Sequence, residues 1–139
     1  MDKIKQVIEA IEANTQEYIV IAIDGRCASG KTTLANKLAQ HFHANVFHMD
    51  DYFLRKEQRT KERLSEIGGN VDRERFIEEV ASKLHSDADI IFAPFDCKTI
   101  ALKEKRTVKQ TRITIIEGSY AMHPLLRKYY DYMIYLTID

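Results

Sequence analysis

Residues 18–33 limit what this chain can fold into more than any other stretch. Tyr18 to Ile23 is apolar at every position and rich in β-branched side chains. A run of that kind suits a strand buried on both faces, as in a parallel sheet. Gly25-Arg26-Cys27-Ala28-Ser29-Gly30-Lys31-Thr32 follows at once, and Leu34, Leu38 and Phe42 then mark one face of a helix over about 31–42. Glycine, four residues, then Gly-Lys-Thr, set between a buried strand and an amphipathic helix, is the context of a phosphate-binding loop. A plain glycine turn with a solvated lysine is the competing reading; motif and context together weigh against it.

The residue types fit that chemistry. Successive backbone N–H groups must face inward to cradle phosphate oxygens, and glycines permit such a backbone. The helix N-terminus adds partial positive charge. The expected nucleotide contacts are Gly25, Arg26, Cys27, Ala28, Ser29, Gly30, Lys31, Thr32 and Thr33, with ATP as the ligand. Lys31 is a compact cation for the β- and γ-phosphates and is expected to act in catalysis. The Thr32 hydroxyl can ligate Mg²⁺ bridging the same phosphates. Cys27 is read either as a small neutral loop residue or as a reactive thiolate near a helix N-terminus.

Ile4, Val7, Ile8 and Ile11 give residues 2–13 one apolar helical face. Further strands are expected at 45–49, 113–116 and 132–138. Helices are expected at 73–85, capped by Asp72 with Phe76, Val80 and Leu84 inward, and at about 123–130. Residues 54–71 read as irregular with one helical piece, and 90–96 with 104–110 as a hairpin. Strands alternating with helices predict a three-layer α/β fold with a mainly parallel sheet. One domain is expected over 1–139, with an N-terminal helix at 1–16 and the core at 17–139. In an open α/β sheet the strand C-termini face the ligand crevice. The loop, Asp50 after the second strand and Glu117 at the end of the third should therefore converge on one edge. One acid can hold Mg²⁺ through its water shell, and the other can accept the proton of an attacking hydroxyl.

Composition narrows the function classes. Lys plus Arg equals Asp plus Glu at 21 each, so no general electrostatic grip on nucleic acid or on an anionic membrane is expected. No apolar run approaches the length of a membrane span, and the first residues carry no apolar signal segment. The two cysteines, Cys27 and Cys97, stand in no metal-ligand spacing and fit a reducing cytoplasm. Lys98, Lys103, Lys105, Arg106, Lys109 and Arg112 form a basic stretch, read as a solvated hairpin face or as a reach toward an anionic substrate. His41, His43 and His48 read as solvated rather than as a metal site. Tyr129, Tyr130, Tyr132 and Tyr135 read as packing around the last strand.

Five segments in one order carry a resemblance: Ile21 to Ala35, His48-Met49-Asp50-Asp51-Tyr52-Phe53, Gly68-Gly69-Asn70-Val71-Asp72, Phe95-Asp96-Cys97 and Glu117-Gly118-Ser119-Tyr120. Through them the chain resembles the uridine kinase, phosphoribulokinase and nicotinamide riboside kinase group of P-loop kinases. The resemblance implies the P-loop NTPase fold with parallel strands ordered 2-3-1-4. It also implies ATP-dependent, Mg²⁺-assisted phosphorylation of a hydroxyl on a small molecule, a nucleoside or similar sugar alcohol. Asp50 looks like the base; Asp51, Phe53, Asp72 and Phe95 stand around the acceptor; Thr32 and Glu117 stand at the metal. Phe95 replaces a tyrosine common at its position, and Lys98 and Thr99 occupy the region of a histidine expected in uridine kinases, so uridine itself is not singled out. The resemblance further implies an arginine-bearing lid, another helix and a fifth strand, none of them evident before Asp139. A truncated chain is therefore expected, with exposed apolar surface that favours association, including a homo-oligomer. A nucleotide-binding module without transfer activity is the alternative.

Overall fold

A computed structural model describes residues 2–26 and 30–137. Helix α1 (Asp2–Ala13) leads into strand β1 (Ile19–Gly25), helix α2 (Lys31–Phe42) and strand β2 (Asn45–His48). Two 3-10 turns (Met49–Tyr52 and Lys56–Gln58) and the short helices α3 (Lys61–Leu64) and α4 (Arg73–Glu79) follow. Then come β3 (Ile90–Phe92), β4 (Phe95–Asp96), β5 (Ala101–Leu102), β6 (Arg106–Val108), β7 (Ile113–Glu117) and β8 (Tyr132–Leu136). One sheet, ordered β2-β7-β1-β8, is parallel throughout, which is the expected 2-3-1-4 order of long strands.

Successive side chains on a strand point to opposite faces. Ile19, Ile21 and Ile23 of β1 and Ile113 and Ile115 of β7 pack against Ile11 of α1 and Leu34, Ala35 and Leu38 of α2. Val20, Ala22 and Ile116 face the other way, onto Tyr52, Phe76, Phe92 and Leu126. Burying one large aliphatic side chain is worth about 1.5–3 kcal/mol. These two clusters therefore outweigh the weak intrinsic preferences of the short helices, and they hold the three layers together.

The same alternation sorts the polar residues. Asp24 shares the face of Val20 and Ala22. Its carboxylate accepts backbone N–H groups from Gly25 at 2.6 Å, Tyr120 at 3.2 Å and Met122 at 2.9 Å, tying the start of the loop to the turn after β7. Glu117 shares the face of Ile113 and Ile115, and so lies on the side of α2. In the register His48 and Ile23 flank it on either side.

Three sequence expectations need correction. The helix expected at 73–85 ends at Glu79 and gives way to a 3-10 turn over Ala81–Lys83, although Phe76, Val80 and Leu84 are all buried. Their spacing reports burial rather than an unbroken helix. The single hairpin is two shorter pairs, β3 with β6 and β4 with β5. The break falls where Pro94 has no N–H to donate and the Ala93 N–H is taken by the Glu79 carboxylate at 3.1 Å. No α-helix forms over 123–130. His123 precedes Pro124, which disfavours helical backbone at that point, and only a 3-10 turn over Arg127–Tyr129 appears. The N-terminal helix packs on the α2 side of the core. Tyr130 is buried and Tyr132 partly so, whereas Tyr135 is 55% exposed. Among the described residues no helix is long and apolar enough to cross a membrane.

Candidate active site

The start of α2 is built to receive an anion. Its N-cap position is Gly30, at φ 89°, and among the described residues no side chain caps the first turn. Among the described residues a Cβ added at Gly30 would meet nothing within 4 Å. The Lys31 ammonium folds back over this space and donates to the Arg26 carbonyl at 3.3 Å. Gly25 ends β1 in buried backbone, and Arg26, Thr32 and Thr33 are exposed. The expected contacts at Cys27, Ala28 and Ser29 lie outside the described residues.

Three carboxylates stand at the C-terminal ends of β2 and β7. Glu117 is 4% exposed, and its Oε2 accepts the Thr32 hydroxyl at 3.4 Å. Its Oε1 lies 2.6 Å from Nδ1 of His48. That hydrogen bond holds the His48 imidazole pKa above its ordinary value, against the opposing effect of partial burial. Asp50 and Asp51 occupy the 3-10 turn directly after β2, Asp50 exposed and Asp51 half-buried. Burial raises the Asp51 carboxyl pKa, and the positive charges of His48, Arg106 and Lys103 offset part of the rise.

No family model matches the sequence. A solved structure described as a possible uridine kinase from Bacillus stearothermophilus superposes with a TM-score of 0.79 at 28% identity, over 96% of this chain and 79% of that one. The uridine kinase-like protein 4 of Arabidopsis thaliana is 25% identical over 144 residues, covering 98% of this chain. The chain is thus similar to uridine kinase-like P-loop kinases. It spans 30% of the length of the Arabidopsis relative. A D-glycerate 3-kinase from Cryptococcus neoformans shares the fold at 19% identity, with a TM-score of 0.52 over 84% of this chain and 49% of that one.

The remaining predicted residues lie on the other face of the sheet. Phe53 bridges to Val71, and its ring meets that of Phe95 edge-on at 5.8 Å. Asp72 is 2% exposed and is already engaged by its neighbours. It caps α4 by accepting from Arg75 N at 3.2 Å, and it takes Gln58 Nε2 at 3.1 Å with the Arg75 guanidinium 3.4 Å away.

Two residues escaped the sequence reading. His48, read from the sequence as solvated, is one: it is half-buried, and the pairing of β2 with β7, remote in sequence, brings it to Glu117. Arg75 is the other. It is 8% exposed, and its guanidinium donates to the carbonyls of Asp51 and Ala93 and lies 4.6 Å from the centre of the Tyr52 ring. It thereby fixes the turn carrying Asp50 and Asp51 to α4 and to the end of β3. Its sequence setting, Asp72-Arg73-Glu74-Arg75, gives no cue for a buried guanidinium. The expected solvated reading suits His41, which is exposed with Glu12 at 3.4 Å, and His43, which closes α2 at φ 53°. Among the described residues no cluster of three or more His, Cys, Asp or Glu side chains can hold a metal ion by itself.

Proposed function

We propose that this chain is an ATP-dependent kinase that phosphorylates a hydroxyl of a small molecule, a nucleoside or similar sugar alcohol. One observation carries the reading: an uncapped helix N-terminus with Lys31, and the acids Glu117, Asp50 and Asp51, share the C-terminal edge of β1, β2 and β7. The kinase names of its relatives support it. Residues 25–33 would hold the triphosphate, Lys31 balancing charge on the β- and γ-phosphates.

The donor set suits a hydrated Mg²⁺ shared with phosphate oxygens. Thr32 and Glu117, joined at 3.4 Å, would hold the ion directly and through water, and among the described residues no all-protein cage competes. Bound there, the ion would neutralise charge on the transferring phosphate. Asp50 is the base. Its carboxylate accepts the proton of the acceptor hydroxyl as that oxygen bonds to the γ-phosphorus, and ADP leaves as the bond to its β-oxygen breaks. Asp51, Phe53 and Phe95 border the acceptor, and Asp72 fixes the wall behind it. Residues 1–139 form one domain in this reading, and its setting is cytoplasmic.

Calorimetry and steady-state assays test the proposal. Mg·ATP should bind the folded chain with measurable heat. Asp50→Asn should lower turnover at least a hundredfold, the lower bound for a positioned general base, with little change in ATP affinity. Equal losses in turnover and affinity would remove Asp50 from the base role, and no heat of binding would end the reading altogether.

A further inference from the structure

Five arginines lie between residues 55 and 75, and four of them have a carboxylate partner. Arg55 lies 4.0 Å from Glu57, Arg63 2.8 Å from Glu74 and Arg73 2.7 Å from Glu66. Arg75 lies 3.4 Å from both Asp72 and Glu79. Arg59 is the exception. Its Nε donates to the Leu54 carbonyl at 3.0 Å, which sets the plane of the guanidinium. Its central carbon lies 5.9 Å from the centre of the Phe95 ring, beside the Phe53–Phe95 pair. Among the described residues neither terminal nitrogen has a protein acceptor. A guanidinium held at Nε with both terminal nitrogens free presents a fork that matches a carboxylate or a phosphate.

Two further cations flank the same wall. The backbone of Lys103 is bonded to the carbonyl of Pro94, next to Phe95, and Arg106 stands opposite Phe92 in the β3–β6 pair. Both are exposed, and among the described residues neither forms an ion pair. Their positive charge reaches Asp51. Asp72 and Glu79 are occupied by Arg75, and Glu74 by Arg63, while Asp51 and Asp96 face Lys103; among the described residues no carboxylate pairs with Arg59.

We propose that the acceptor carries an anionic group, a carboxylate or a phosphate, in addition to the hydroxyl that is phosphorylated, and that Arg59 receives it with Lys103 and Arg106 close by. This rests on the kinase reading above and narrows its acceptor from neutral sugar alcohols to charged ones.

The test uses matched acceptors with Mg·ATP: glycerol against glycerate and glycerol 3-phosphate, and ribose against ribose 5-phosphate. The charged member of a set should be favoured at least tenfold in kcat/KM, and whether carboxylate or phosphate gains more identifies the group. Arg59→Gln should raise KM for the charged member about tenfold or more while the KM for ATP stays in place, and Arg59→Lys should recover part of the loss. A merely structural arginine would not change the ratio of charged to neutral acceptors. Equal use of neutral and charged acceptors overturns the inference and leaves the kinase reading standing. If Mg·ATP binds but no compound turns over, the kinase reading fails. Calorimetric titration of glycerate, glycerol 3-phosphate and glycerol into the wild type and Arg59→Gln then decides the inference. A preference for the anions that disappears in the variant supports it, and its absence overturns it.

Discussion

Gly118→Ala puts a number on how tightly the Glu117 strand end is set against the turn carrying Asp50. Gly118 lies at φ +143°, a backbone region that residues with a side chain rarely adopt. A Cβ there would sit 2.7 Å from Met49 Cβ and 3.2 Å from Met49 N. Met49 is fully buried and opens the 3-10 turn of Asp50 and Asp51, so it has little room to retreat. The backbone strain costs about 1–3 kcal/mol, and overpacking a filled interior costs about 1–3 kcal/mol more. The sum, about 2–6 kcal/mol, is a large share of the roughly 5–15 kcal/mol that stabilises a typical domain. Trimming Met49 to alanine should not relieve the strain, because the nearest atom is a Cβ. Gly30→Ala is the control. It too has positive φ, but its added Cβ meets nothing within 4 Å, so only the left-handed backbone penalty of about 1–2 kcal/mol applies. Urea denaturation followed by far-ultraviolet circular dichroism measures both variants. Equal losses at the two glycines would refute the role given to Met49. Gly30→Ala should in addition weaken Mg·ATP binding, which calorimetry reads separately.

The His48–Glu117 pair should leave a pH signature. The folded pKa of His48 lies above its ordinary value of 6.5, so the pair contributes its full stability below about pH 6.5 and loses it as pH rises through the folded value. The difference in urea midpoint between wild type and His48→Gln should shrink between pH 5 and pH 9; a gap that widens with pH contradicts the assignment. Arg75→Met should cost about 3–5 kcal/mol, because it strands the buried Asp72 carboxylate and frees the Asp51 and Ala93 carbonyls. A loss below about 1 kcal/mol by the same denaturation assay would show that Arg75 does not brace the site.

The parts of this fold that were legible in the sequence are those set by short-range pattern. The all-apolar run of β1, the glycine-lysine loop and the helical spacing of Leu34 and Leu38 each declare themselves within a few residues. Asp72 likewise reads as a cap from its place before α4, and its carboxylate does accept the Arg75 N–H. The strand order followed from the resemblance rather than from any local pattern. What stayed hidden depends on pairings remote in sequence. Glu117 meets His48 only because β7 lies between β1 and β2. Helix length was misjudged where burial and periodicity coincide without a continuous helix, as from Phe76 to Leu84. The hairpin was misjudged because a side chain of α4 captures the Ala93 N–H that a regular ladder would have used.

The division of the interior has a bearing on inheritance. One apolar cluster ties the nucleotide loop to α1, α2 and the central strands, whereas the other supports Tyr52, α4, β3 and the wall around Phe53 and Phe95. A graft that replaces residues 49–110 with the matching stretch of a relative leaves the first cluster's fully buried members in place. On the proposed kinase reading, such hybrids keep polyphosphate binding while changing the acceptor, so a lineage could change its cargo without rebuilding its engine.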